Sequence, residues 1–189
     1  MAKKKAKKQK KAKQAQRPKA FRAVVSGERI SSNSQEAFDL YSKSRLGEPS
    51  EGKIYYSLVE AAYLLERKRI QLFEKGKKLT FHKFLEHARK IEPNFWTRYR
   101  VFSDMRSRGY IVKTALKFGA DFRVYERGKK PGEAHAKWVL FPVYETNTLT
   151  WHEFAAKNRV AHSTKKNLLI GIVDDEADVT YYTISWIKP

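Results

Sequence analysis

The sequence predicts a small α+β domain followed by an α/β domain whose mixed β-sheet is flanked by helices. In the first half, short strand-like segments alternate with two amphipathic helices, and the pattern changes near Pro93. In the second half, residues 167–173 are apolar on both faces, which is typical of a central strand. We therefore predict a disordered lysine-rich tail over residues 1–20, an N-terminal domain over 21–92 and a C-terminal domain over 93–189.

Capping residues and apolar spacing define the N-terminal domain. Ser57 and Glu60 form a capping box that opens a helix through residue 67, with Leu58, Ala61, Ala62 and Leu65 on one face. Thr80 caps a second helix over residues 81–91, whose apolar stripe contains Phe81, Phe84, Leu85 and Ala88. Strand-like segments cover residues 21–25, 54–56 and 69–73. Two helices packed on these strands give an α+β domain.

The C-terminal domain begins with a helical pattern over residues 95–108, which stops at Gly109 as at a C-cap. Thr150 and Glu153 form a second capping box that opens a helix through about residue 161. Strand-like segments cover residues 110–117, 122–126, 136–143, 167–173 and 179–187. The last two strands are joined by the acidic turn DDEAD. Helices alternating with strands predict an α/β domain with a mixed sheet.

The charge of the chain limits its partners. Lys and Arg number 40 against 20 for Asp and Glu, giving a formal net charge of +20. Such an excess favours a polyanion, and nucleic acid is the first candidate. Residues 1–19 contain nine lysines and Arg17 but no acid, and Met1 is their one apolar side chain larger than alanine. This tail is therefore predicted to be disordered, either as a solubilising arm or as an arm that contacts RNA phosphates.

Two features that the sequence lacks narrow the class of protein further. No apolar run reaches the roughly 18 residues of a membrane span, and the N-terminal segment lacks the apolar centre of a signal peptide. We therefore expect a cytoplasmic protein. The sequence has no cysteine, which excludes disulfides and thiolate metal sites.

Three side chains of the C-terminal half have the chemistry for cleaving RNA without a metal or another cofactor. Such cleavage needs a base for the 2′-hydroxyl, an acid for the departing 5′-oxygen and a fixed cation for the charge on phosphorus. Tyr125, His135 and Lys166 supply these groups within the stretch from residue 121 to 166. A tyrosine gives up its proton reluctantly at neutral pH, so a base of this type needs cations nearby. Taken alone, each of the three is more commonly a sheet, loop or surface residue.

Four sequence blocks, in order, resemble the archaeal tRNA-splicing endonucleases and the related catalytic subunits of the eukaryotic enzyme. The blocks are LYSKSRLGEPSEGKIYYSLVEAAYLLERKRI, RGYIVKTALKFGADFRVYERG, HAKWVLFPV and NRVAHSTKKNLLIGIVDDEADVTYYTISW. The resemblance covers nearly everything after the basic tail. It implies a tRNA-intron lyase that cleaves precursor tRNA at bulge-helix-bulge sites by attack of the 2′-hydroxyl, leaving 2′,3′-cyclic phosphate and 5′-hydroxyl ends.

The same resemblance implies roles for individual residues. The family's catalytic tyrosine falls at Tyr125 in VYERG, and its histidine at His135, which opens the HAK block. Its lysine falls at Lys166, although Lys165 is adjacent and spacing alone does not decide between them. Members of the family clamp a flipped bulge base with side chains from a neighbouring active subunit. Arg159 in NRVAHS and Trp186 in TISW occupy the matching blocks. Stacking on an indole or guanidinium plane suits recognition by shape.

The acidic turn, residues 174–178, has two interpretations. Asp174, Asp175 and Glu176 would insert into a basic groove of an opposing subunit, as the corresponding loop of the family does, and opposite charge would set the register. Alternatively, its carboxylates would bind a divalent metal, but consecutive acids in a tight turn point apart. The resemblance implies at least four subunits, as a homotetramer or as a heterotetramer with noncatalytic relatives.

Two other functional classes remain as alternatives. The chain would be a noncatalytic RNA-binding or structural subunit if Tyr125, His135 and Lys166 only built a groove. It would be a metal-dependent DNA nuclease if the acidic turn held the reactive centre. The presence of all three proposed catalytic groups instead favours a metal-independent endoribonuclease.

Overall fold

The computed structural model describes residues 20–187, and the predicted tail therefore lies outside the described residues except for Ala20. The strands are β1 (Phe21–Ser26), β2 (Arg29–Ser32), β3 (Glu48–Ser50), β4 (Lys53–Tyr56), β5 (Ile70–Glu74), β6 (Lys77–Lys78), β7 (Ile111–Thr114), β8 (Phe122–Tyr125), β9 (Trp138–Tyr144), β10 (Asn167–Val173) and β11 (Val179–Ile184). The helices are α1 (Gln35–Ser44), α2 (Leu58–Glu66), α3 (Phe81–Ile91), α4 (Phe95–Ser107) and α5 (Trp151–Ser163). A short 3-10 turn, Leu116–Phe118, follows β7.

The N-terminal half is a six-stranded sheet in the order β3-β4-β2-β1-β5-β6, with α1, α2 and α3. Strand β1 runs parallel to β5, and the other neighbours are antiparallel. The predicted capping box of α2 is present, since Ser57 Oγ accepts from the Glu60 backbone while the Glu60 side chain accepts from the Ser57 backbone. Thr80 caps α3 as predicted. Apolar spacing does not indicate α1, because only Ala37 and Leu40 of that helix are buried.

The C-terminal half is a five-stranded mixed sheet in the order β11-β10-β9-β8-β7. Strand β10 is parallel to β9 and antiparallel to β11, so it lies inside the sheet as its two apolar faces predict. Helix α5 begins with the predicted capping box of Thr150 and Glu153. The predicted α+β and α/β architecture is confirmed.

Alternate residues of this second sheet face two different layers. Val124, Leu140 and Leu169 belong to the main core, which also contains side chains of α4 and of the N-terminal half. Val139 and Phe141 belong to a smaller core with Ala161 of α5. Because one core continues from the N-terminal sheet through α4, the domain boundary at residues 92/93 stays a prediction. It falls between α3 and α4.

The sequence ranges of several strands differ from the structure. The segment predicted as a strand over residues 110–117 is β7 only as far as Thr114, because the chain then turns through the 3-10 segment. The last strand ends at Ile184 rather than at residue 187. No helix within residues 20–187 is both long and apolar enough to cross a membrane.

Candidate active site

The candidate active site lies at the end of β8, on the sheet face that carries α5. Tyr125 is the last residue of β8, and its side chain is only 4% exposed. Alternation along the strand places it on the opposite face from Val124, which packs in the main core. Tyr125 lines a pocket of about 480 Å³ that opens on this face.

His135 reaches the same pocket from the loop that connects β8 with β9. This loop turns at Gly128 and Gly132, whose φ angles of 80° and 88° favour glycine. The loop is anchored where it returns, because the backbone N–H of Lys137 donates to the carbonyl of Val124 at 2.9 Å. His135 is exposed and lines the pocket. The anchor thus holds an accessible imidazole beside the end of β8.

Lys166 enters the pocket from the turn between α5 and β10. The turn residue Lys165 has a φ of 53°, and the backbone N–H of Lys166 donates to the carbonyl of Ala161 at 2.9 Å. The Lys166 ammonium donates to the Thr164 carbonyl at 2.7 Å, and its side chain is half-buried. Lys166 lines the pocket together with Tyr125 and His135, whereas Lys165 does not.

Arg123, which is not among the residues predicted from the sequence, also lines this pocket. It precedes Tyr125 by two residues on β8 and therefore points to the same face of the sheet. Strand periodicity was the available signal, but it becomes informative only once β8 and the functional face of Tyr125 are known. Glu133 and Thr164 are the other polar side chains of the lining.

A second pocket of about 410 Å³ lies next to the first and shares Lys166 with it. Trp186 lines this second pocket, is 57% exposed and meets the His162 ring edge to face at 5.0 Å between centroids. The other positively charged lining residues are Lys137 and Lys165. Arg159 is exposed on α5 and lines neither pocket. Within one chain, the structure therefore does not pair Arg159 with Trp186 as two sides of a clamp.

The acidic turn is held by its own backbone and by neighbouring elements. Asp174 Oδ1 accepts from the Asp178 N–H at 2.8 Å, and Glu145 Oε1 accepts from the Asp175 N–H at 3.0 Å. Arg100 of α4 donates from Nε to the Ala177 carbonyl at 2.9 Å. Asp175 and Glu176 are exposed. Across the described residues, no three His, Asp or Glu side chains are grouped closely enough to hold a metal ion.

A buried ion network joins the edge of the second sheet to the N-terminal half. Lys113 of β7 is 3% exposed, and its ammonium donates to the Gly47 carbonyl at 2.7 Å and to Glu60 Oε1 at 3.3 Å. Glu48 Oε1 lies 2.9 Å from the same nitrogen. Glu60 also accepts from the Gly47 N–H at 2.9 Å. Gly47 has a φ of 80°, and an added Cβ would lie 2.4 Å from Ile54 Cγ2, so only glycine fits there.

These features define a basic enzyme-like protein in which a tyrosine, a histidine and a lysine line one pocket of a mixed α/β sheet. Comparison with known families then identifies the class. Residues 95–181 match the model of the tRNA intron endonuclease catalytic C-terminal domain, and residues 21–85 match that of the tRNA intron endonuclease N-terminal domain.

Individual relatives agree with the family models. The chain is 42% identical over 165 residues to a tRNA-splicing endonuclease of Thermococcus onnurineus, covering 87% of this chain and 95% of the relative. It is 45% identical over 138 residues to a tRNA-splicing endonuclease of Nanoarchaeum equitans, covering 70% of this chain and 88% of the relative. The chain belongs to the tRNA intron endonuclease family and, carrying its catalytic domain, is an endoribonuclease.

Proposed function

We propose that this enzyme excises introns from precursor tRNA by cutting at bulge-helix-bulge sites, with the RNA 2′-hydroxyl as nucleophile. The observation that carries the proposal is that Tyr125 from a strand, His135 from a loop and Lys166 from a turn line one pocket. Family membership supplies the tRNA intron as substrate. The formal net charge of +20 favours capture of this polyanion.

The proposed chemistry assigns one role to each side chain. Tyr125 removes the proton from the 2′-hydroxyl, whose oxygen then bonds to phosphorus. His135 donates a proton to the 5′-oxygen as its bond to phosphorus breaks, and Lys166 stabilises the negative charge on the pentacoordinate phosphorus. The products are a 2′,3′-cyclic phosphate and a 5′-hydroxyl end.

We further propose that Trp186 and Arg159 hold an extruded bulge base between them, with the two side chains coming from different subunits. Trp186 presents an exposed indole in the pocket adjoining that of Tyr125. Arg159 is exposed on α5 and free of that pocket, which is compatible with reaching a neighbouring site. Stacking of this kind recognises a splayed base by its face and tolerates any base identity.

The proposed assembly uses two surfaces of the C-terminal half. Strand β11 pairs only with β10 among the described strands, so its other edge is available for a second chain. Exposed Tyr182 and Ile187 lie on or next to this strand. The acidic turn, with exposed Asp175 and Glu176, would dock into a basic groove of an opposing subunit. A homotetramer and a heterotetramer with noncatalytic relatives both place two active sites on one precursor.

Cleavage of a bulge-helix-bulge RNA by the purified chain, in the presence of a chelator, tests the function. We expect two cuts that leave cyclic phosphate ends, because the proposed acid, base and cation are all side chains. Placing a 2′-deoxynucleotide immediately 5′ of one scissile phosphate should abolish that cut and preserve the other. Cutting at the deoxy site would exclude the proposed nucleophile, and a requirement for magnesium in the chemical step would contradict the metal-independent mechanism.

A further inference from the structure

Arg123 lies inside the candidate active site without a role in the chemistry described above. Its side chain is half-buried and lines the same pocket as Tyr125, Thr164 and Lys166. It comes from the middle of β8, which pairs with β7 on one side and β9 on the other. A residue on an interior strand is held more rigidly than one on a loop, so the position of Arg123 is fixed by the sheet.

The polar end of Arg123 lacks the partners that a buried guanidinium normally has. Its Nε is buried and has no hydrogen-bond partner within the part of the chain that the structure describes. Within the same residues, none of the ion pairs between basic and acidic side chains involves Arg123. An unpaired buried donor is costly to a fold. Because Arg123 lines a pocket, a ligand in that pocket can supply the acceptor.

The residue opposite Arg123 on the neighbouring strand is also basic, but its charge is paired. Register places Lys113 of β7 opposite Arg123 of β8, and side chains paired in this way share one face of the sheet. The Lys113 charge is neutralised by Glu48 and Glu60, whose carboxylates lie 2.9 and 3.3 Å from its ammonium. Those carboxylates are committed to Lys113. The charge of Arg123 therefore remains available to the pocket, where Lys166 adds a second positive group.

We propose that Arg123 binds the scissile phosphate of the RNA, donating hydrogen bonds to its nonbridging oxygens. This inference rests on the proposed function, since it requires the RNA backbone to enter the pocket of Tyr125. A guanidinium presents parallel donors that match two phosphate oxygens, whereas an ammonium acts as a point charge. Arg123 thus holds the phosphate in place from the sheet, and Lys166 meets the same group from the turn after α5.

The test compares Arg123→Ala and Arg123→Lys with Arg22→Ala as the matched control. Arg22 is an exposed strand arginine of the N-terminal sheet whose guanidinium lies 4.3 Å from the centre of the Phe73 ring. Affinity is measured on bulge-helix-bulge RNA carrying 2′-deoxynucleotides at both cut sites. Cleavage is measured in single turnover at saturating RNA, with and without added methylguanidinium. Thermal melting of each variant reports on the fold.

We expect Arg123→Ala to weaken binding by roughly 10-fold, with a salt slope reduced by about one, because one phosphate contact is lost. The single-turnover rate should fall about 100-fold, and methylguanidinium should restore part of it. Arg123→Lys should keep the wild-type salt slope but recover little of the rate, because lysine lacks the planar fork. Arg22→Ala should stay within about twofold of the wild type in every readout.

Two outcomes would overturn the proposal. One is an Arg123→Ala protein that melts like the wild type and retains its affinity and rate. The other is a loss of rate that follows a loss of melting temperature and is not rescued by methylguanidinium, which would make Arg123 structural. A wild-type chain that left the ribose RNA uncut would instead refute the proposed function, and the affinities for the deoxy RNA would still show whether Arg123 contacts phosphate.

Discussion

Two neighbouring strands carry positive side chains directly opposite each other, and their environments are opposite in kind. Lys113 of β7 is buried among acceptors, with the Gly47 carbonyl at 2.7 Å and Glu48 Oε1 at 2.9 Å from its ammonium. Arg123 of β8 faces a pocket and has a buried Nε without a partner among the described residues. The two residues are register partners.

The difference separates a charge that stabilises the protein from a charge that awaits a ligand. Lys113 fastens the edge of the catalytic sheet to the N-terminal half, since all of its acceptors lie between residues 45 and 60. Its partners also neutralise it, so it adds little field to the pocket. Arg123 and Lys166 form no ion pair with a carboxylate within residues 20–187, and both line the pocket, as suits a site for a phosphate.

The largest effect is expected on the rate of RNA cleavage, from His135→Ala in the pocket. Removing the proposed general acid should lower the single-turnover rate by roughly 100- to 10,000-fold. Affinity for an uncleavable 2′-deoxy RNA should stay nearly unchanged, because the proton transfer is needed chiefly in the transition state. His82→Ala is the matched control, since His82 is exposed on α3 at the surface of the N-terminal half. Equal losses of rate and affinity would show that His135 binds RNA instead.

The stabilising role of Lys113 and its acidic partners is tested by Lys113→Met, measured by chemical denaturation. This change leaves Glu60 buried without its cation, which should cost about 3–5 kcal/mol of unfolding free energy. Lys113→Met with Glu60→Gln should recover part of the loss, because the uncompensated charge is gone. Lys53→Met, at an exposed strand position, should change stability by less than about 0.5 kcal/mol. If Lys113→Met were no more destabilising than Lys53→Met, the network would not join the two halves.

Variants of the two adjacent lysines test whether Lys166, rather than Lys165, is the proposed catalytic cation. Lys166→Ala should lower the single-turnover rate by roughly 100- to 1,000-fold, as loss of a preorganised charge stabiliser does. Lys165→Ala removes the same charge one residue away, outside the pocket of Tyr125, and should have a much smaller effect. Comparable losses of rate from the two variants would contradict the assignment of Lys166.

Local patterns predicted the fold because the physical signals were local. The capping boxes at Ser57 and Thr150 and the doubly apolar β10 depend on residues within one turn or one strand. The role of Glu60 was beyond such patterns. It is a helix cap within its own segment, yet it also binds Lys113, which lies 53 residues further along the chain. Arg123 was missed for the same reason, since its lack of an acidic partner is a property of the folded surroundings.

The resemblance contributed what the patterns could not. Strand periodicity does not indicate which tyrosine or lysine is functional, and the choice of Tyr125, His135 and Lys166 came from the family blocks. The structure brings these three side chains into one pocket. It does not bring Arg159 to the pocket of Trp186 in a single chain, so the proposed pairing would require two chains.

A smaller effect is expected for the proposed base clamp. Trp186→Ala should weaken binding of bulge-helix-bulge RNA by about 1–3 kcal/mol, as loss of one stacking surface does. The effect should shrink on an RNA whose bulge base is replaced by an abasic residue, since stacking requires a base. Arg159→Ala should show the same dependence on the bulge base. Trp151→Ala is the control, because Trp151 is 85% exposed and lies at the N-terminal end of α5, away from Arg159. A loss that persists on the abasic RNA would exclude stacking.

The smallest effect on the folded chain is expected from neutralising the acidic turn. Replacing Asp174 and Asp175 with Asn and Glu176 with Gln should change the unfolding free energy of the protomer by only about 0.5 kcal/mol, since most substitutions in exposed turns cost little. Asp174 Oδ1 accepts from the Asp178 N–H, and an asparagine oxygen preserves that bond. Light scattering should nevertheless show a shift from tetramers to smaller species, because the charge that would enter a basic groove is removed. Cleavage should fall in parallel, since the second site or its base clamp is lost.

Glu51→Gln, an exposed acid in a turn of the N-terminal half, is the control for loss of charge alone. A triple variant that stays tetrameric and fully active would eliminate docking of the turn, and one that stays tetrameric but loses bound divalent ions would support a metal site there instead.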